Sequence, residues 1–232
     1  MPQLKPFAAV VFDMDGTLLD TERLYVDAWI AAGRAVGAQI TEDFCHRMIG
    51  KPMQDCETMM IERFGADFPL DACIEACGAF VARASRAGVP LKDGARELVD
   101  YLTAMNIPLA IATSSRRPTA EHHLSRCGLL SHFSALVTRD DVTRGKPHPE
   151  SYLRAARALG KETARCLALE DSPTGLRSAA ASGAMTILAP DILQPSSEER
   201  ALCLAVVASL RDVLDMLRAQ ASAQRPLGAI AR

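Results

Sequence analysis

Apolar positions along this chain follow two rhythms, and the change between them divides it. Residues 8–12, Ala8-Ala9-Val10-Val11-Phe12, are apolar with no polar alternate face, which predicts a strand buried on both sides in a parallel sheet. From Thr21 the spacing turns helical: Trp29, Ile30 and Val36 recur among alanines up to Gly37, placed as a C-cap. Thr41-Glu42-Asp43 offers an N-cap to a helix carrying Phe44, Met48 and Ile49, and Gly50-Lys51-Pro52 breaks it. Residues 53–64 and 70–87 predict two more helices, and no strand signal occurs between Thr21 and Arg86. Gly88-Val89-Pro90-Leu91 closes the helical block as a hinge.

Beyond Asp93, helices and strands alternate. Helices are predicted over 93–105, 118–127, 150–159 and 173–182, and strands over 107–112, 135–138, 166–169, 184–188 and 204–207. A last helix runs through Leu217, and the stretch 219–232 is too weakly periodic to predict more than a loose tail. Such alternation implies right-handed crossovers, hence an α/β fold: a parallel sheet with helices on both faces, plus an all-helical insert after its first strand. The expected organisation is a core of residues 1–19 and 88–232, its tail from about 220 loosely ordered, and an inserted unit of 20–87.

Composition narrows the function classes. The 232 residues are 49% hydrophobic and 23% charged, an ordinary globular balance. A formal charge of −2 gives no basic field to recruit nucleic acid or a membrane surface. No apolar run is long enough to span a bilayer, and Met1 to Pro6 leads straight into the first strand without room for a signal peptide, so a cytoplasmic location is expected. Seven cysteines without C-x-x-C pairs suit reduced, packed thiols; Cys73 and Cys77 are expected in a helical core and not on zinc.

The chemistry concentrates where strands end. The first strand runs into Asp13-Met14-Asp15-Gly16-Thr17, two carboxylates that point the same way if the extended geometry persists. Ionised groups at the end of so apolar a strand need a metal or a cation. The second strand ends in Thr113-Ser114-Ser115-Arg116-Arg117 before a helix with Pro118 in its first turn, a setting for anion binding or for plain N-capping by Ser114 or Ser115. Gly145-Lys146-Pro147 fixes a lysine stem in a rigid turn. The strand Leu167-Ala168-Leu169 ends in Glu170-Asp171, costly together unless a cation shares them.

These four stretches, in this order and each beside a strand end, resemble the motifs of the haloacid dehalogenase superfamily, in its β-phosphoglucomutase-like and phosphatase branch with a helical cap. The resemblance implies the following roles. Asp13 is the nucleophile, Asp15 the acid and base, and Lys146 the charge partner. Thr113, Ser114 and Arg116 contact phosphate or substrate, and Gly50 and Lys51 contact substrate from the cap. Asp13, Asp171, Glu170 and the backbone carbonyl of Asp15 hold Mg²⁺, and the cap hinges near 17–21 and 88–92.

Asp15 separates this chain from the dehalogenase and phosphonatase branches, which lack that acid. A β-phosphoglucomutase would carry an arginine where Met53 stands and a histidine where Tyr25 stands, so hydrolysis is expected over transfer. Asp20-Thr21-Glu22-Arg23-Leu24-Tyr25 and Ile49-Gly50-Lys51 are similar to the pseudouridine-5′-phosphatase branch. The expected partner is a small phosphorylated metabolite, of sugar phosphate or nucleotide type, with the chain a monomer or weak homodimer. A non-catalytic phosphometabolite-binding protein on the same fold is the alternative, though Asp13, Asp15, Lys146 and Asp171 are all present.

Overall fold

The computed structural model describes residues 4–49 and 53–223. Among them, in chain order, are strand β1 (Ala9–Phe12), helices α1 (Thr21–Ala35), α2 (Glu42–Met48), α3 (Met53–Phe64), α4 (Leu70–Ala87) and α5 (Ala95–Ala104), strand β2 (Leu109–Ala112) and helix α6 (Arg117–Arg126). Strand β3 (Ala135–Val137), helix α7 (Glu150–Ala158), β4 (Cys166–Glu170), α8 (Pro173–Ala181), β5 (Met185–Leu188), α9 (Ser197–Arg200), β6 (Ala205–Val206) and α10 (Leu210–Ala223) follow. The strands form one sheet in the order β3-β2-β1-β4-β5-β6, every neighbouring pair parallel.

The chain clusters into two compact units, one holding residues up to Leu18 and from Leu91 onward, the other Leu19–Pro90. Among its described residues, the second holds helices α1 to α4 and no strand. Thr41 caps α2, its Oγ1 accepting from the Phe44 N–H at 3.3 Å. The rings of Phe44 and Phe64 meet edge to face at 5.7 Å, and Phe64 stacks on Phe68 at 5.0 Å. The buried side of α1 is Val26, Ala28, Ala32 and Gly33, with Trp29 and Ile30 only half-buried. Gly33 lies against Ile40, where a Cβ would collide. Cys73 and Cys77 are buried free thiols, and burial pushes Cys77 up to about 12.

In the sheet unit β1 is central and fully buried, pairing with β2 on one side and β4 on the other. One buried cluster joins Val11, Ala110, Ala112 and Ala168 of the sheet to Tyr152, Ala155 and Ala156 of α7 and to Ala179 of α8. Alanines on both surfaces let the helix backbones approach the sheet closely, so what α7 carries is fixed relative to the strand ends.

The structure departs from the sequence reading at some edges. The second strand starts at Leu109, not Ile107, and β4 runs one residue further, to Glu170. The expected loose tail is helical as far as Ala223, because α10 buries Leu210, Val213, Leu214, Met216 and Leu217 and Gln220 donates to the Leu4 carbonyl at 2.9 Å; the rest of that tail lies outside the described residues. No helix among the described residues is long and apolar enough to cross a membrane.

The alanine contact surface predicts a cost of overpacking. Ala110→Leu, at a site with no exposed surface, is expected to destabilise the chain by ~1–3 kcal/mol. A lowered denaturant midpoint at unchanged slope checks it.

Candidate active site

Because all the strands are parallel, the residues that follow their carboxyl ends lie along one edge of the sheet. Asp13 follows β1, Thr113 follows β2, Lys146 lies on the connection from β3 to α7, and Glu170 and Asp171 close β4. The Asp13 N–H donates to the Leu169 carbonyl at 2.9 Å and the Thr113 N–H to that of Val137 at 2.9 Å, extending the strand pairing to both residues.

Asp13, 6% exposed, is the centre of the cluster. Lys146 Nζ donates to Asp13 Oδ1 at 2.5 Å and to Glu170 Oε1 at 2.6 Å. The lysine side chain is buried, and its Nζ sits 5.1 Å from the centroid of the Tyr152 ring. The Tyr152 hydroxyl donates to the same Glu170 Oε1 at 2.7 Å. Glu170 Oε2 accepts from the Asp171 N–H at 3.2 Å and from Ser172 Oγ at 3.3 Å. Asp171 Oδ1 accepts from Thr17 Oγ1 at 2.9 Å.

Two glycines make this density possible. Gly16, at φ +84°, packs its bare Cα against the Asp171 carboxylate, and Gly175, in the first turn of α8, does the same against Glu170; a Cβ at either would overlap the carboxylate. Ser172 caps α8 by accepting from the Gly175 N–H at 3.1 Å, which holds that turn in place.

Oxygens of Asp13, Glu170 and Asp171 lie within 4.8 Å of one another. Burial, opposed by the Lys146 charge, pushes Asp13 up to about 7, with the Glu170 and Asp15 carboxylates adding to the rise. Burial raises Asp171 too, helped by Asp13 and Glu170. Burial alone would lower Lys146, but its two carboxylate partners outweigh it and hold the ammonium above its ordinary value. Tyr152 is raised by burial and by Glu170.

This donor set fits a divalent cation. Asp13 Oδ2 is buried and has no hydrogen-bond partner. Three carboxylates face one ammonium, an imbalance that a hard cation on oxygen ligands would correct. Both Glu170 oxygens already accept hydrogen bonds, so Asp13 and Asp171 hold most of the spare donor capacity.

Asp15 turns elsewhere. β1 stops at Phe12, so the two-residue spacing no longer sets a shared direction. Its Oδ2 accepts from Ser115 Oγ at 2.7 Å and Thr113 Oγ1 at 3.1 Å. Thr113 Oγ1 also accepts from the Ser115 N–H at 3.0 Å. Ser115, not the exposed Ser114, is therefore the serine joined to the acids, and neither caps α6, whose N-cap is Arg116 without a side-chain cap bond. Arg116 is exposed. Arg117 turns back to Asp141 at 2.7 Å and Glu121 at 3.3 Å. Gly50 and Lys51, expected to contact substrate, lie outside the described residues.

Three members of this network carried no catalytic, phosphate or metal role in the sequence reading: Thr17, read only as part of a hinge, Ser115, read only as a possible N-cap, and Tyr152. Thr17 and Ser115 stand inside the quoted motifs. Tyr152 was legible only as an apolar position of α7, since nothing in its spacing reveals a hydroxyl aimed at β4.

Comparison with known proteins agrees with this geometry. Residues 7–183 match the family described as haloacid dehalogenase-like hydrolase. The chain is 32% identical over 177 residues to validoxylamine A 7′-phosphate phosphatase of Streptomyces hygroscopicus subsp. limoneus, covering 76% of this chain and 83% of that one. It is 30% identical over 222 residues to a protein of Drosophila melanogaster named "Probable pseudouridine-5′-phosphatase", covering 90% and 92%. Among solved structures, a HAD family hydrolase from Deinococcus radiodurans R1 with bound phosphate and sodium superposes at a TM-score of 0.83, with 26% identity over 93% of this chain and 97% of that one. The chain belongs to the haloacid dehalogenase-like hydrolase family and is a phosphatase of that family.

Proposed function

We propose that this phosphatase is a Mg²⁺-dependent phosphomonoesterase that hydrolyses a small phosphorylated metabolite, of sugar-phosphate or nucleotide type, through an aspartyl-phosphate on Asp13. The observation that carries the reading is Asp13 itself: one oxygen on the Lys146 ammonium, the other buried without a hydrogen-bond partner, in a cluster with Asp171. A carboxylate so placed suits an attack on phosphorus, because its charge is compensated where the phosphoryl group must arrive.

In the first half-reaction an Asp13 oxygen forms the new bond to phosphorus, and the bond to the leaving oxygen breaks. Asp15 gives that oxygen its proton, then takes one from the water that hydrolyses the acyl phosphate. Its two hydroxyl partners, Ser115 and Thr113, hold its Oδ2 in place. Lys146 balances charge on the transferred group. Asp13 and Asp171, with the backbone carbonyl of Asp15 and with Glu170 beside them, would hold Mg²⁺, which when bound supplies positive charge to the phosphoryl oxygens.

Substrate choice is assigned to the helical unit inserted after β1, as a cap. Relatives named as a validoxylamine A 7′-phosphate phosphatase and a pseudouridine-5′-phosphatase support phosphorylated carbohydrate-like or nucleoside-like esters. Met53, exposed where a mutase would place a cation, supports hydrolysis over phosphoryl transfer between sugar positions.

Two outcomes test the reading. With p-nitrophenyl phosphate and Mg²⁺, wild-type protein is expected to release phosphate, and Asp13→Asn to lose about 10³-fold or more of kcat. Absence of turnover across a panel of phosphate esters would instead favour a binding protein. The second concerns pH. Without metal, Asp13 is raised to about 7 and so keeps its proton below that pH. A cation binds the deprotonated form, so binding must displace the proton, and apparent Mg²⁺ affinity is expected to rise with pH through about 7. The same raised value favours the metal-free fold at low pH and is lost as pH climbs through 7. Melting curves with and without Mg²⁺ should therefore show a larger stabilisation at pH 8 than at pH 5.5.

A further inference from the structure

Tyr152 is buried, on the face of α7 that packs against the small residues of the sheet. Its position is set by that packing, so its hydroxyl and its ring are rigid with respect to β4. Both address the same ion pair. The hydroxyl donates to Glu170 Oε1 at 2.7 Å, the oxygen that Lys146 Nζ reaches at 2.6 Å, and the ring face lies 5.1 Å from Nζ. Lys146 is thus bounded by Asp13, Glu170 and an aromatic face.

We propose that Tyr152 is a positioning residue for the reaction, its hydroxyl holding Glu170 so that the Lys146 ammonium stays shared with Asp13. The proposal rests on the phosphatase reading above and extends it to a residue outside the three-carboxylate cluster. The physical reason is competition for one oxygen. A carboxylate oxygen that already accepts a phenolic hydrogen bond draws less on a neighbouring ammonium. Remove the hydroxyl and Glu170 Oε1 has only Lys146, so the ammonium moves toward Glu170 and away from Asp13 and the incoming phosphoryl group. The ring stays, and with it the packing of α7.

Tyr152→Phe removes the hydroxyl alone. With p-nitrophenyl phosphate it is expected to lower kcat about tenfold while KM changes less than about twofold, since the charge is needed most in the transition state. In a Glu170→Gln background the same substitution is expected to cost nothing further. A Tyr152→Phe enzyme with kcat within about twofold of wild type, or an undiminished loss in the Glu170→Gln background, would overturn the proposal.

A second readout needs no turnover. In denaturant unfolding of wild type, Tyr152→Phe, Lys146→Met and the double variant, the two changes are expected to be non-additive by about threefold or more in the unfolding equilibrium constant. A hydroxyl that only satisfies its own burial would give additive effects, and that result sinks the proposal. Should wild-type protein hydrolyse no ester, the phosphatase reading falls by itself, and the unfolding cycle still decides whether the hydroxyl acts on Lys146.

Discussion

Compensation of buried carboxylates by one ammonium governs this structure. Asp13, Glu170 and Asp171 crowd within 4.8 Å at the end of two central strands, and Lys146 answers two of them directly. Taking such charges from water costs several kcal/mol per ion unless partners are supplied, so the arrangement would not persist without the lysine and the donors around it. The raised Asp13 and Asp171 show that the compensation is incomplete. Incomplete compensation is a binding property, because it leaves the site favourable to a cation and then to an anionic ester.

The fold serves this interaction by bringing distant chain segments to one edge. Parallel strands deliver Asp13, Thr113 and the Glu170-Asp171 pair, and the connection from β3 delivers Lys146. Steric allowance matters as much as topology. Gly16 and Gly175 leave room where a Cβ would overlap a carboxylate, and alanines between α7 and the sheet set how near that helix lies. The same small residues that give the helix its close seat thereby bring the Tyr152 hydroxyl to Glu170.

Much of this was legible along the chain. The unbroken apolar run at β1 and the helix–strand alternation after Asp93 specify a parallel sheet, and that is the sheet observed. Polar residues at the ends of apolar strands marked the site because that placement is costly without a purpose. What escaped has a common cause: side-chain direction depends on neighbours in space. Ser114 and Ser115 are equivalent by composition, yet Ser115 meets Asp15 while Ser114 is exposed. On α1, Trp29 and Ile30 drew attention by size, while the packing is decided by Ala28, Ala32 and Gly33 against close neighbours. The tail looked formless past Leu217, and α10 continues because its apolar stripe is already docked.

The two acids of the first motif sit in contrasting surroundings. Asp13 is buried beside an ammonium and two other carboxylates, and burial more than any one of these charges pushes it up. Asp15 is half-buried, outside the three-carboxylate cluster, and bound to the neutral hydroxyls of Ser115 and Thr113. Asp13 cannot gain or lose charge without disturbing Lys146 and its neighbours. The two environments differ because β1 ends at Phe12, so Asp13 and Asp15 do not keep the common direction that an extended chain would give them.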